Sequence, residues 1–340
     1  MTKAILNFLY KSKEKTANKE VNKILYFLPA SKVGDTIIET FFVKELKKLF
    51  PSAEITVLIL DPYKVLLSAN PNIDKIITMP VNKYKKLLFL IFRAFWIRRK
   101  KYDLLIDIPH SGYGFLRYLF LYVCGAKQVM TSNISGYDFI TYPLSWSEDV
   151  KQHISQEVFV KALRMLGAKG SLTVNYDLYI PKESENCATN FLNYNNINAN
   201  DFMLFNPEGS LPPRTLKPQK VKEILEKLNK KSEKKIVLLS HKQKYTNLPE
   251  NVVLFSSNSI MDIAAIISKA GFVLSVDTGI VHIADAFNKP LTILFSEANT
   301  DNRPRPMVEF FWSSKNANNK HLKSFYSVND ISTQNIIDSL

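Results

Sequence analysis

Residues able to do chemistry concentrate at three places in this chain, each at the end of an apolar run. The densest is Ser275-Val-Asp-Thr-Gly-Ile-Val-His282, where Asp277, Thr278, Gly279 and His282 interrupt two otherwise apolar stretches. Val273 to Val276 has the continuity of a buried strand, Ile280, Ile283, Ala284 and Phe287 recur at helical spacing, and a second apolar run ends at Phe295. The pattern predicts a strand–helix–strand unit with its polar residues at the turn. Ligands of open α/β sheets bind where strands end and helices begin, and a helix N-terminus offers free backbone N–H groups to a phosphate. Singly, Asp277 or Thr278 is explained as a helix cap and Gly279 as a turn residue. Their density favours a ligand site.

The second place is Lys32-Val-Gly-Asp-Thr36, after the apolar run Lys23 to Leu28. Asp35 there is either a proton acceptor or the cap of the helix that follows. The third is the proline-framed loop Pro207 to Pro218, which carries Gly209, Ser210, Arg214 and Thr215 after the run Phe202 to Asn206. Arginine suits bidentate recognition of phosphate, against the plainer reading of a solvated loop charge.

Positioning these residues requires strands that alternate with helices. An apolar face from Ile37 to Phe50 predicts a long helix that Pro51 ends, followed by strands at 54–60 and 75–79 with a short helix from Tyr63 to Ser68 between them. Tyr84 to Lys101 reads as a helix with a basic rim, and Leu104 to Pro109 as a strand leading to His110. Leu116 to Val123 is helical, the stretch 129–142 is rich in turn residues, and 153–166 is again helical. Pro181 to Asn186 has the composition of a linker. A second alternating series then places strands at 202–206, 235–240 and 252–255, and helices at 219–230 and 260–270, before the unit ending at Phe295. Trp312 and Phe325 are expected to pack, and Asp330 to Leu340 to form a last helix. The alternation predicts an α/β chain with parallel sheets. Its expected divisions are a basic extension over 1–22, a first domain over 23–180, a linker over 181–201, a second domain over 202–325 and a closing helix within 326–340.

Forty-six per cent hydrophobic residues in 340 positions suffice for two cored domains. The 45 Lys and Arg against 31 Asp and Glu give a net charge of +14, which favours anionic partners. Cys124 and Cys187 are too few and too far apart for a disulfide framework or a cysteine metal site, and no secretory signal is evident, so the chain reads as cytoplasmic. No Gly-x-Gly-x-x-Gly follows a predicted strand, which argues against a dehydrogenase. In the basic helix, apolar positions are too continuous for nucleic-acid recognition; core packing ranks first, and contact of Phe92, Phe95 and Trp96 with an anionic inner leaflet second.

On these residues the chain resembles the bacterial heptosyltransferases of lipopolysaccharide core assembly. Lys32 to Thr36 and Ser275 to Ala286, with Asn288-Lys-Pro290 and Leu294-Phe295 downstream, carry the likeness, which spans about residues 23–300. The resemblance implies the GT-B architecture, two Rossmann-like domains with parallel sheets facing across a cleft. It also implies an inverting, metal-independent glycosyltransferase that moves a sugar, heptose favoured, from a nucleotide diphosphate donor, ADP-heptose favoured, to the lipopolysaccharide core or a related anionic surface glycan. No cofactor is expected. By the same resemblance Asp35 is the catalytic base, and Lys32, Gly34 and His110 bind the acceptor. Gly209, Ser210, Arg214, Thr215, Asp277, Thr278, Gly279 and His282 bind the donor. A carboxylate repels a diphosphate, so Asp277 is expected to hold its loop or bind the sugar. A base at a helix N-terminus is weak, which suits a proton that leaves late in the reaction. The expected partners are the nucleotide sugar and an anionic glycolipid, with a monomer at the inner face of the inner membrane and no nucleic acid.

The sequence departs from the family pattern at Leu216, where an aromatic is usual, and at Asn299 to Pro306. It also departs at His241 to Tyr245, which lacks the acidic residue expected to hold the adenosine ribose. A nucleotide-sugar epimerase on the same fold and a non-catalytic nucleotide or glycan-binding protein are the alternatives.

Overall fold

A computed structural model describes residues 20–28, 32–81, 92–108, 115–132, 136–144, 156–172, 174–241, 243, 245–297 and 319–340. His110, Lys83, Lys85, Lys86, the segment Asn299 to Pro306 and Trp312 lie outside the described residues, as does most of the 1–22 extension. The chain divides into two compact units, Met1–Asp177 and Leu178–Leu340.

Unit 1 builds a parallel sheet from β1 (Lys23–Leu28), β2 (Glu54–Leu60), β3 (Lys75–Met79), β4 (Leu104–Asp107), β5 (Gln128–Ser132) and β6 (Tyr142–Leu144). Among the described residues its order is β3-β2-β1-β4-β5-β6. Helix α1 (Val33–Leu49) follows β1, α2 is described over 92–98, α3 (Phe115–Cys124) follows β4, and α4 is Gln156–Met165. A strand covered on both faces must be apolar throughout, and β1 and β2 are buried at nearly every position for that reason. Strands β5 and β6 occupy the ends of the stretch read as turn-rich. Their polar side chains are absorbed by partners instead: Tyr142 Oη donates to Gln128 Oε1 at 2.9 Å, and Thr131 Oγ1 to Asp107 Oδ2 at 3.2 Å.

Two buried polar clusters hold unit 1 together. Tyr26 donates its hydroxyl to Glu39 Oε2 inside the core, and burial followed by the Glu39 charge raises the phenol well above its ordinary range. Asp107 is fully buried at the end of β4 and is gripped by Arg117 of α3 through Nε at 2.7 Å and through Nη2. The guanidinium also lies 5.2 Å from the centre of the Phe27 ring.

Unit 2 repeats the topology with β7 (Phe202–Asn206), β8 (Lys235–Leu239), β9 (Val252–Phe255), β10 (Phe272–Val276), β11 (Leu291–Ser296) and β12 (Lys320–Ser324). The order β12-β11-β10-β7-β8-β9 is again all parallel. Its helices are α5 (Lys182–Tyr194), α6 (Pro218–Lys231), α7 (Ile260–Ser268), α8 (Gly279–Ala286) and α9 (Thr333–Asp338). Pro181 to Asn186, with the composition of a linker, forms the cap and opening turn of α5. That helix packs on α7, with Phe191 meeting the Phe255 ring at 4.8 Å. One expectation of packing fails. Phe325 is 47% exposed, because it follows the edge strand β12. In the described part of α2, Ala94 and Ile97 face the core, as expected of a helix buried on one side, and Phe92 and Phe95 lie outside at 71% and 58% exposure.

The Asp107–Arg117 pair yields a stability test. Arg117→Met is expected to destabilise the protein by about 3 kcal/mol, because it leaves a carboxylate buried without its cation. Adding Asp107→Leu should recover much of that loss. Urea unfolding of the single and double variants measures both; equal losses would show that the ion pair is not what Arg117 contributes.

Candidate active site at the strand ends

Each sheet has the doubly wound order, so each has a switch point where neighbouring connections leave in opposite directions. In unit 2 it lies between β7 and β10, and the polar residues of the opening motif gather there. Asn206 ends β7 and donates through Nδ2 to Ser275 Oγ at 3.0 Å and to Thr278 Oγ1 at 3.2 Å. Thr278 in turn caps α8, accepting from the Ile280 N–H at 3.2 Å. Both contacts use Oγ1 as an acceptor, which leaves the hydroxyl proton available to donate. Gly279 is the first helical residue and His282 lies buried one turn on, at 5% exposure. Burial pushes the imidazole down to about 4, so at neutral pH it is an uncharged hydrogen-bonding group.

The loop after β7 closes over the same point. Thr215 Oγ1 accepts from the Gly209 N–H at 3.1 Å and lies 3.1 Å from the Leu211 carbonyl, while Leu216 N donates to Pro207 O at 2.9 Å. A side chain at Gly209 would place its Cβ 2.4 Å from the Arg214 carbonyl oxygen, so glycine is required there by close approach. Ser210 stays exposed. The folded loop carries Arg214 inward, where Nη1 sits 3.1 Å from Asp277 Oδ2, with side-chain exposures of 10% and 11%. Arg214 is therefore not a solvated loop charge, and Asp277 does not face an anion alone. Among the described residues, the buried Nε and Nη2 of Arg214 have no hydrogen-bond acceptor.

An acidic residue does reach the loop after β8, from a neighbouring connection rather than from within it. Glu208 Oε1 accepts from the backbone N–H groups of His241 at 3.1 Å and Gln243 at 3.2 Å. Asn206 and Glu208 escape a reading by motif; the signal was a polar residue closing an apolar strand and an acid beside the loop glycine.

In unit 1, Lys32 is the N-cap of α1 and Asp35 stands in its first turn, which corrects the reading of Asp35 as the cap. Gly34 is buried, Asp35 half-buried and Lys32 exposed. Tyr63, in the short helical turn Asp61–Leu66 after β2, is raised by burial and then by the Asp35 charge, which places the two within electrostatic reach. Among the described residues no group of His, Cys, Asp and Glu side chains assembles as a metal site.

Two doubly wound parallel sheets with polar clusters at their strand ends define a two-domain α/β protein of the GT-B fold. Residues 95–325 match glycosyltransferase family 9 (heptosyltransferase), and the chain belongs to that family. It is 24% identical over 352 residues to the Escherichia coli K12 protein provisionally named lipopolysaccharide heptosyltransferase 4, covering 98% of this chain and 92% of that protein. Its fold is similar to that of the family 9 glycosyl transferase of Veillonella parvula, with a TM-score of 0.79, 17% identity and coverage of 95% and 97% of the two chains. The fold also matches E. coli ADP-heptose lps heptosyltransferase II, with a TM-score of 0.70, 17% identity and coverage of 93% and 97%.

Two measurements check the local physics of the site. Gly209→Ala is expected to cost about 1–3 kcal/mol, because the added methyl meets backbone rather than a yielding side chain. The exposed neighbour Ser210→Ala should leave the melting temperature unchanged. His282 titrates near 6.5 when unfolded and near 4 when folded, so its contribution is intact above pH 6.5 and is lost as the pH falls towards 4. Lowering the pH from 7 to 5 should cost about 2 kcal/mol through this residue, and His282→Gln should show a correspondingly smaller loss in urea titrations.

Proposed function

We propose that the chain transfers a heptose from a nucleotide diphosphate donor to an anionic lipopolysaccharide-type glycan with inversion at the anomeric carbon. The acceptor is assigned to the first domain and the donor to the second. The observation that carries this reading is Arg214, a buried guanidinium with its Nε and Nη2 lacking acceptors, beside the N-terminus of α8 at a switch point. A diphosphate supplies the missing acceptors, and the backbone N–H groups at Gly279 and the Thr278 hydroxyl supply further donors. Solved relatives described with ADP and with an ADP-2-deoxy-2-fluoro heptose support an adenine nucleotide as the carrier.

In the reaction, an acceptor hydroxyl oxygen forms a bond to the anomeric carbon as the bond to the phosphate oxygen breaks. Asp35 takes the hydroxyl proton and the nucleoside diphosphate departs with the bonding pair. Arg214 neutralises the departing charge where a divalent cation would otherwise be used. Asp277 fixes the guanidinium in that orientation. Lys32 and Gly34 are assigned to the acceptor, as is His110, which lies outside the described residues.

The test is a thermal-shift screen of ADP, GDP, UDP and CMP, in which ADP alone should raise the melting temperature by an amount that grows with concentration. Arg214→Ala should abolish that shift, and Asp35→Asn should keep it while lowering kcat about a hundredfold or more. The transfer reading fails if no nucleotide stabilises the protein, or if Asp35→Asn retains full activity.

A further inference from the structure

Unit 2 holds a cavity of about 440 Å³ that the donor cluster does not use. Three connections at the carboxyl ends of its strands build it: the loop after β7 through Pro212, Pro213 and Lys217, the loop after β8 through Gln243, and the turn after β12 through Tyr326 and Asn329. Among the described residues, none of Arg214, Asp277, Thr278 and His282 lines it. Thr215 is shared, but its hydroxyl is engaged within its own loop by Gly209 and Leu211. The floor is fixed in advance. Asn329 donates through Nδ2 to the Thr215 carbonyl at 2.9 Å and accepts through Oδ1 from the Lys217 N–H at 2.8 Å. Gln243 donates through Nε2 to the Leu216 carbonyl at 3.1 Å.

The same contacts leave one group over. Gln243 is held through its backbone N–H by Glu208 and through its carbonyl by Ser240, and its bond to Leu216 orients the amide, yet Oε1 is buried without a donor. An unmet buried acceptor is costly, and a ligand hydroxyl satisfies it. Lys217 contributes an exposed cation to the lining. Tyr326 is 59% exposed, and its ring meets that of Phe325 edge-on at 4.7 Å, so a large apolar surface stands beside the prolines. A pyranose suits this combination, because C–H groups cover a face of the ring and hydroxyls its rim. From this we infer that the cavity is a second carbohydrate site, for a sugar residue carrying a phosphate or carboxylate. The C–H face lies on Tyr326, a hydroxyl donates to Gln243 Oε1, and the anionic group pairs with Lys217. An acyl chain or apolar peptide leaves the Oε1 acceptor unmet, and a purine ring carries no anion for Lys217. Membership of a glycosyltransferase family supports a carbohydrate ligand, independently of the donor assignment.

Saturation-transfer difference NMR on the full chain tests it, with glucose 6-phosphate, glucuronate and glucose as probes and inorganic phosphate and ADP as competitors. Transfer is expected to the ring protons of both charged sugars, to be weaker for glucose, and to persist in excess ADP. Lys217→Ala and Tyr326→Ala remove exposed side chains, and each should raise the dissociation constant of glucose 6-phosphate by about five- to tenfold. The melting temperature and the ADP shift should not change in either variant. In turnover, a raised KM for the glycan acceptor in both variants assigns the bound residue to that glycan, and an unchanged KM assigns it to a free sugar phosphate. A carbohydrate site is ruled out by no transfer to either charged sugar, by displacement of glucose 6-phosphate by ADP, by equal competition from inorganic phosphate, or by undiminished binding in both variants. Loss of the ADP shift in the parent protein would count against the donor reading alone.

Discussion

The ion pair between Arg214 and Asp277 is the interaction on which the strand-end cluster of unit 2 depends. Removing both charges from water is costly, and one carboxylate contact at 3.1 Å offsets only part of that cost for a guanidinium with five N–H donors. The pair persists because the fold over-determines it. Asp277 is set by the end of β10, and Arg214 by a loop closed through Thr215 and the close approach at Gly209. Among the described residues, the buried Nε and Nη2 of Arg214 remain without acceptors. The end of β10 contributes one half of the pair and the loop after β7 the other, so the pairing follows from topology rather than from a contiguous motif.

Unit 1 has the same strand order and a buried arginine–carboxylate pair at a strand end, with a different outcome. Arg117 grips both carboxylate oxygens of Asp107, and Thr131 donates to one of them as well. A pair so fully engaged stiffens the sheet and has little left to recruit a ligand. A half-exposed carboxylate, Asp35, stands instead at the start of α1 with the Tyr63 phenol nearby. Two copies of one architecture thus differ at their strand ends, one leaving buried guanidinium N–H groups without acceptors among the described residues and the other gripping its carboxylate through two nitrogens.

How much was legible in the sequence follows from which forces are local. Strands such as β1, β2 and β10 announce themselves because burial on both faces demands continuous apolar residues, and α1 because its helical stripe is long. The edge strand β12 reads Lys-His-Leu-Lys-Ser, with no position fully buried, and so leaves no such trace. In β5, Gln128 and Thr131 imitate a turn because the partners of their side chains lie elsewhere in sequence. The same limit applies to the site. Asp277, Thr278 and Gly279 could be singled out by density at a strand end, but the burial of Arg214 and the service of Asn206 to Thr278 are long-range facts with no local pattern.

The charge balance at the strand ends of unit 2 also constrains how any anion could be held there. Asp277 cancels Arg214, and His282 is neutral because its burial outweighs protonation at ordinary pH. The immediate surroundings therefore carry no large net charge. The attraction for an anion must come from directed N–H and O–H donors over short distances, and from the excess of 14 positive charges over the whole chain at long range. Directed donors discriminate by geometry and persist in salt, whereas the long-range field accelerates encounter and is screened. A neutral imidazole contributes to the first of these and not to the second. It can take part in a hydrogen bond to a phosphate oxygen when protonated at one nitrogen, without repelling Arg214 in the absence of ligand.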